Sequence, residues 1–253
     1  MPIHPFTIGC MATAGYSPPT WSNTHSILMD GVDEYVSVPS AATSGLNGKA
    51  GGSFSCWVKR SSVGGSRRYF LGLAINASTA KLGLNFETNN RIRVLAASSV
   101  SDGLKFANTS ESFSSTSTWY NITVCVDVAG DAWDVYVNGA TLTISNPTFA
   151  DSTFSSEVGA NHNIGAWMNN GIVFPGNVNQ CALWDKCLSA AEATEIYNSG
   201  VPADLTTHSA ASNIVSYWPF GTGDTYPTLL DSVNSHDGTM TNMESGDIVT
   251  DVP

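Results

Sequence analysis

The side chains best able to do chemistry in this chain are its 21 carboxylates, and their spacing argues against acid–base work. Cleaving a glycosidic bond takes two carboxylates about 5–5.5 Å apart for retention, or farther apart for inversion. Residues i and i+2 or i+4 of a strand share a face, so a catalytic cleft strand would show an acidic pair in the manner of E-x-D-x-E. No such run exists. The strand-like segments 69–75 and 91–97 carry no acid, 81–87 has only Glu87 at its end, and 118–127 has only Asp127 at its end. Asp131 and Asp134 are three apart, so within one strand they would point to opposite faces. The histidines (His4, His25, His162, His208, His236) fall in arm or loop contexts, with neither a G-x-S-x-G nor an H-E-x-x-H motif. Cys10, Cys56, Cys125, Cys181 and Cys187 show no CxxC spacing. Cys56 and Cys125 sit in strand-like runs, where a thiol serves as a small apolar group, so neither a disulfide framework nor a zinc site is expected. The chain reads as a non-enzyme. Its best binding segment is AWMNNGIVFPG (166–176), where Trp167 offers an aromatic face for stacking on a sugar ring, and Asn169 and Asn170 offer amides for its hydroxyls. The competing reading is that Asn169-Asn170-Gly171 simply makes a turn.

Charge narrows the partners. Ten Lys and Arg against 21 Asp and Glu leave a net charge of −11, which excludes a phosphate-binding surface for nucleic acid and disfavours an anionic membrane. The imbalance is concentrated: nine acids and no Lys or Arg follow Lys186. An acidic C-terminal face is expected, either simply solubilising or suited to a cation or basic partner. No segment approaches the roughly 20 apolar residues of a membrane helix. The first 21 residues lack Lys and Arg and contain Pro2, Pro5, Pro18 and Pro19, so they do not read as a secretory signal.

The elements that would position these groups are mostly short strands. Residues 1–25 read as a proline-punctuated arm. From Ser26 the apolar residues alternate: Ile27 and Met29 lead to a turn at Asp30-Gly31, then Tyr35, Val36 and Val38 follow. Phe54, Cys56 and Val58 share a face, with Trp57 on the other. The run 69–75 is apolar throughout, as in a strand buried on both faces. Leu82, Leu84 and Phe86 pair through an Asn89-Asn90 turn with Ile92 and Val94 as a hairpin. Residues 98–118 are Ser- and Thr-rich and read mostly as loop. Ile122, Val124 and Val126 alternate in one strand and Trp133, Val135 and Val137 in the next, after which Asn138-Gly139 is a hairpin-turn dipeptide. Further strands are expected near 177–185 and 214–220. The one helix, near 189–199, is announced by a Ser189/Glu192 capping box with Leu188 as its staple. Gly200 and Pro202 end it. This pattern predicts an all-β fold, an antiparallel two-sheet β-sandwich.

Four blocks carry a resemblance: HSILMDGVDEYVSVPS (25–40), SFSCWVKRSS (53–62), TWYNITVCVDVAGDAWDVYVNG (118–139) and FPGNVNQCALWDKCLSAAEATEIYNSG (174–200). In this order they resemble the concanavalin A-like lectin/glucanase superfamily, in its laminin-G-like, pentraxin-like jelly-roll branch. The resemblance implies a jelly roll over 26–200, with Phe174 filling the core. It also implies a candidate calcium site at the acidic turn Asp30, Asp33 and Glu34, with Asp224, Asp231 and Asp237 a second such group; no other cofactor is expected. The stretch SNIVSYWPFGTGDTYPTLLDSVNSHDGTMTN (212–242) is similar to a strand and loop that often precede such domains. Here it follows, within an acidic segment (201–253) expected to add a strand to the sandwich. That stretch also resembles virion proteins of bacteriophages. The resemblance therefore implies a non-catalytic capsid-decoration or tail/fibre module in the virion, assembled in the host cytoplasm. Its partners would be other virion proteins, further copies of itself and cell-surface glycans. A free carbohydrate-binding lectin or a glycoside hydrolase of the same superfamily is the alternative.

Overall fold

The computed structural model describes residues 21–76, 78–159, 161–168, 172–221 and 223–253. The arm therefore lies largely outside the described residues, as do Asn169 and Asn170. In chain order the strands and helices are β1 (Ser26–Asp30), β2 (Tyr35–Ser37), α1 (Ser40–Ser44), β3 (Gly51–Arg60), β4 (Arg68–Asn76), β5 (Thr79–Phe86) and β6 (Ile92–Ala96). There follow β7 (Lys105–Asn108), β8 (Tyr120–Asp127), β9 (Ala132–Val137), β10 (Ala140–Thr141), β11 (His162–Ile164), β12 (Ala166–Trp167), β13 (Ile172–Val173) and β14 (Pro175–Trp184). The chain ends with α2 (Ala190–Tyr197), β15 (Ile214–Trp218), β16 (Thr228–Leu229), β17 (Gly238–Thr241) and β18 (Ile248–Val249).

Two eight-stranded antiparallel sheets face each other. One runs β10-β9-β8-β3-β14-β1-β18, with β15 also paired to β14; the other runs β16-β17-β2-β11-β4-β5-β6-β7. The fold is a jelly-roll sandwich, and the period-two pattern produces it. Phe54, Cys56 and Val58 of β3, and Ile122, Val124 and Val126 of β8, point inward to meet Leu82, Leu84 and Phe86 of β5 and Ile92 and Val94 of β6. Phe174 is fully buried between Phe70 and Phe86, its ring centroid 6.2 Å from each. The 201–253 segment does more than add one strand: β15 and β18 extend the first sheet, while β16 and β17 extend the second.

The outer face of the first sheet is not open. Residues 188–217 fold over it, and Trp184, Leu188, Ile196, Leu205 and Tyr217 form a second apolar layer. Helix α2 anchors that cover. Ser189 Oγ accepts from the Glu192 amide while Glu192 accepts from the Ser189 amide, and Asn198 closes the helix in the left-handed region at φ 43°.

Three local expectations need correction. Cys125 is not a free apolar thiol but is disulfide-bonded to Cys187, with Cα atoms 4.9 Å apart. It lies on the outer face of β8, between the inward Val124 and Val126, where the chain entering α2 passes over it. A strand alternation shows which face a cysteine is on but not what later crosses that face. Cys56 and Cys181 do remain free and buried. Second, the 98–118 segment contains β7, an edge strand paired to β6. Third, one helical turn, α1, precedes β3. It buries Ala42 and Thr43 and places Thr43 Oγ1 3.0 Å from His162 Nδ1.

Lys81 is the one lysine fully buried among the described residues, and it sits at a break in register. Leu82 pairs with Leu73 and Ala80 with Ala74, so Lys81 has no cross-strand partner. Its ammonium donates to Asn47 Oδ1, and burial pushes its pKa down to about 8 against the partial help of the Glu157 charge. Lys81→Met should therefore stabilise the protein at pH 7 by about 1–2 kcal/mol. Between pH 8 and the ordinary lysine range the unfolded chain holds the proton that the folded one has released. Wild-type stability thus rises across that window and the variant's advantage shrinks. Chemical denaturation at pH 7 and pH 9.5 measures both effects.

Candidate functional site

The outer face of the second sheet carries two side-chain rows set by register. Gly72 pairs with Gly83, Gly83 with Leu95, and Leu95 with Phe106, one row running from β4 to β7. Beside it Tyr69 pairs with Asn85, Asn85 with Arg93, and Arg93 with Asn108. A register shift between Tyr69 and Leu71 brings Tyr69 onto the same face as Gly72.

The first row is a floor for aromatics. The β12–β13 hairpin folds over the sheet and lays Trp167 across the two glycines. A Cβ at Gly83 would come within 2.7 Å of the Trp167 ring, and one at Gly72 within 2.6 Å of the Ala166 carbonyl oxygen. Glycine is required here by close approach, not by backbone conformation. Tyr69 packs against the indole with centroids 4.9 Å apart. Trp167 is thus half-buried, its ring in tilted contact with Tyr69 and resting on the sheet. At the other end of the row Phe106 is 59% exposed on the edge strand, with the Arg93 guanidinium 3.7 Å from its centroid. Two strand spacings of about 4.8 Å separate Gly83 from Phe106, a span that suits one or two sugar rings.

The second row is polar and incompletely paired. Glu87, just past β5, accepts from Arg93 Nη1 at 2.8 Å, from Arg67 Nε at 2.9 Å and from Asn85 Nδ2 at 3.3 Å. Burial opposes ionisation of Glu87, but the bonds from Arg93 and Asn85 and the charges of Arg93 and Arg67 outweigh it and hold its pKa below the usual carboxylate range. Asn85 Oδ1 and Arg93 Nε are buried and meet no partner, although Asn85 is fully buried and Arg93 only 7% exposed. This polar row, ordered around Glu87, runs alongside the aromatic row that ends in exposed Phe106.

The sequence-predicted residues fare unevenly. Trp167 is on this face, whereas Asn169 and Asn170 lie outside the described residues. Phe174 fills the core. At the acidic turn, Asp30 Oδ1 accepts from the Val32 amide at 2.7 Å and Glu34 Oε2 from the Asp30 amide at 2.6 Å; Asp33 contributes its backbone carbonyl to Asn242. Burial and the neighbouring Asp247, Asp30 and Asp33 charges raise the Glu34 pKa, against the bond from the Asp30 amide. The second acidic group also spends its oxygens on backbone. Asp224 accepts from Gly221 and Leu230, Asp231 from Tyr217, Val233 and His236, and Asp237 from Asp231. Among the described residues no three His, Cys, Asp or Glu side chains are grouped to hold a metal ion. Tyr69, Asn85, Arg93 and Phe106 were missed. The alternation KLGLNF and RIRVL already put Asn85 and Arg93 opposite the core residues, but Phe106 had no comparable signal inside its Ser-rich surroundings.

Solved structures share this fold. A candidate carbohydrate-binding protein of Bacteroides ovatus superposes with a TM-score of 0.61 at 12% identity, over 86% of this chain and 58% of that one. The present chain therefore spans little more than half of that relative. The heptameric SAP-like pentraxin of Limulus polyphemus gives 0.52 at 11% identity, over 69% of this chain and 82% of that one. The Ruminococcus gnavus IT-sialidase CBM40 bound to α2,3-sialyllactose gives 0.52 at 14% identity, over 68% of this chain and 96% of that one. No curated protein matches by sequence. The Laminin_G_3 family model matches residues 30–194, most of the sandwich from the end of β1 into α2. The chain belongs to that family, within the concanavalin A-like lectin/glucanase superfamily.

Proposed function

We propose that this protein is a non-catalytic glycan-binding module whose binding surface is the outer face of the β4–β7 strands. The observation that carries the reading is the pairing of two aromatic side chains on one row, Trp167 and exposed Phe106, with the polar Asn85–Glu87–Arg93 row beside them. Sugars need both an apolar face for their C–H groups and fixed polar atoms for their hydroxyls. The carbohydrate-binding neighbours of the same fold support the class of ligand. Against hydrolysis, none of the eight strands of this sheet contains an Asp or Glu. Glu87, the single acid between Glu34 and Asp102, is held ionised by two arginines, whereas a general acid must carry its proton near neutral pH.

A glycan array probed with the purified protein tests this reading. Phe106→Ala should weaken the strongest positives roughly tenfold without moving the unfolding midpoint, because Phe106 is an exposed residue of an edge strand. An array with no positives, or release of reducing ends from the bound glycans, would overturn it.

We infer further that the module works on the surface of a virus particle. The 212–242 stretch supports this by its resemblance to phage virion proteins. The Cys125–Cys187 bond is compatible with it, since disulfides persist on particles outside the reducing cytosol. Mass spectrometry of purified particles tests the inference, and absence of this polypeptide from them refutes it.

A further inference from the structure

The chain has five arginines, and all five lie at one corner of the sandwich. Arg60 ends β3, Arg67 and Arg68 lead into β4, and Arg91 and Arg93 open β6. Glu87 is shared by Arg67 and Arg93, and the acidic turn of Asp30, Asp33 and Glu34 stands across from Arg67 and Arg68. In a protein of net charge −11 this is a local concentration of positive charge.

The corner also borders an open cleft. A cavity of about 460 Å³ opens between the β1–β2 turn at Gly31 and Val32, the loop bearing Arg67 and Arg68, Thr88, and Ile172 of the hairpin that carries Trp167. That volume lies within the ~300–1,000 Å³ of small-molecule sites. Arg67 is the shared wall: it lines the cavity and reaches Glu87 at the edge of the two-row face. Arg68 Nε is buried with no hydrogen-bond partner. Behind it Arg60, 1% exposed, lies over the Phe86 ring; its Nη1 bonds to Asn90 Oδ1 and the Phe113 carbonyl, while Nε and Nη2 meet nothing. Buried guanidinium groups without a carboxylate are costly unless something anionic completes them.

We propose that this cavity is an anion subsite, and that the glycan is an acidic saccharide whose carboxylate or sulfate group sits against Arg67 and Arg68 while an adjoining ring lies on the Trp167–Phe106 face. A guanidinium fork suits both oxyanions in bidentate geometry. The inference rests on the glycan-binding reading above and adds the charge of the ligand and the place of its acidic group.

The test is titration calorimetry with matched probes. Trigalacturonate is compared with its methyl ester, 3′-sialyllactose with lactose, and a sulfated galactose disaccharide with its unsulfated form. The acidic member of at least one pair should bind, its neutral counterpart should bind roughly 10- to 100-fold more weakly, and affinity should fall as salt rises. The carboxylate and sulfate arms tell the two anion sources apart. Arg68→Gln should remove the preference for the acidic member while leaving neutral binding unchanged, and Arg68→Lys should restore part of it. Equal binding of acidic and neutral members overturns the anion subsite and leaves the glycan-binding reading standing. Binding by neither, with no positives on the array, overturns both. An acidic preference that survives Arg68→Gln in a folded protein overturns the placement.

Discussion

Breaking the Cys125–Cys187 bond should lower unfolding stability by about 2–4 kcal/mol. The two cysteines are separated by 62 residues in sequence. In the chain-entropy account, closing a loop of that length restricts the unfolded chain by about 4 kcal/mol, with native geometry subtracting from that figure. The bond also ties the segment leading into α2 to β8, so its loss should loosen the apolar layer of Trp184, Leu188 and Ile196 first. For a domain of this size the melting midpoint should fall by roughly 5–10 °C. Calorimetry with and without dithiothreitol, and of Cys125→Ala/Cys187→Ala, measures it. The double variant should melt with the reduced wild type and should not respond to reductant. A midpoint unmoved by reductant would show that the bond does not form. Glycan binding at room temperature should survive, because the bond and the Trp167–Phe106 face lie on opposite outer surfaces of the sandwich.

That opposition also explains what could be read from the sequence. Residues facing the core repeat every second position, and this signal is strong in FSCWV, LGLNF and ITVCV because burial constrains one face at a time. The helix was legible for a different reason: Ser189 and Glu192 satisfy each other's end amides through local contacts alone. The site was less legible because it is a cross-strand object. Gly72 and Gly83 are eleven residues apart, and only their register shows that they jointly form the floor beneath Trp167. Trp167 could be found as an isolated aromatic in a loop, but not that Tyr69 would pack against its ring. Phe106 sits on a four-residue edge strand whose single apolar outward residue creates no period. The disulfide was hidden for a related reason. Cys125 and Cys187 belong to elements that meet only after the 188–217 segment folds back over the first sheet.

Replacing Glu87 should be the most damaging single change at the proposed binding face. Its carboxylate stands between Arg67 and Arg93 and also receives Asn85, so Glu87→Ala leaves the largely buried Arg93 guanidinium without a counterion and two donors without an acceptor. Removing one partner of such a pair costs about 3 kcal/mol, discounted here from the fully buried value because Arg67 is half-exposed. Glu87→Gln keeps the shape and an acceptor and should lose about half as much. The pH dependence has a definite sign. Because the folded pKa lies below the unfolded one, the stability Glu87 contributes is complete above the unfolded carboxylate range, about 4.3, and is lost as pH falls through the folded value. Wild type and Glu87→Gln should therefore differ most near pH 6–7 and converge as the pH drops below about 4, which urea denaturation at several pH values would measure. A constant difference across that range would mean that Glu87 matters by packing, not by charge. The same variant separates binding from hydrolysis. If Glu87 only organises arginines, Glu87→Gln removes a negative charge beside the anion subsite, and acidic saccharides should bind at least as tightly as to wild type. If Glu87 were a catalytic acid, the substitution would abolish a turnover that the wild-type protein must first display.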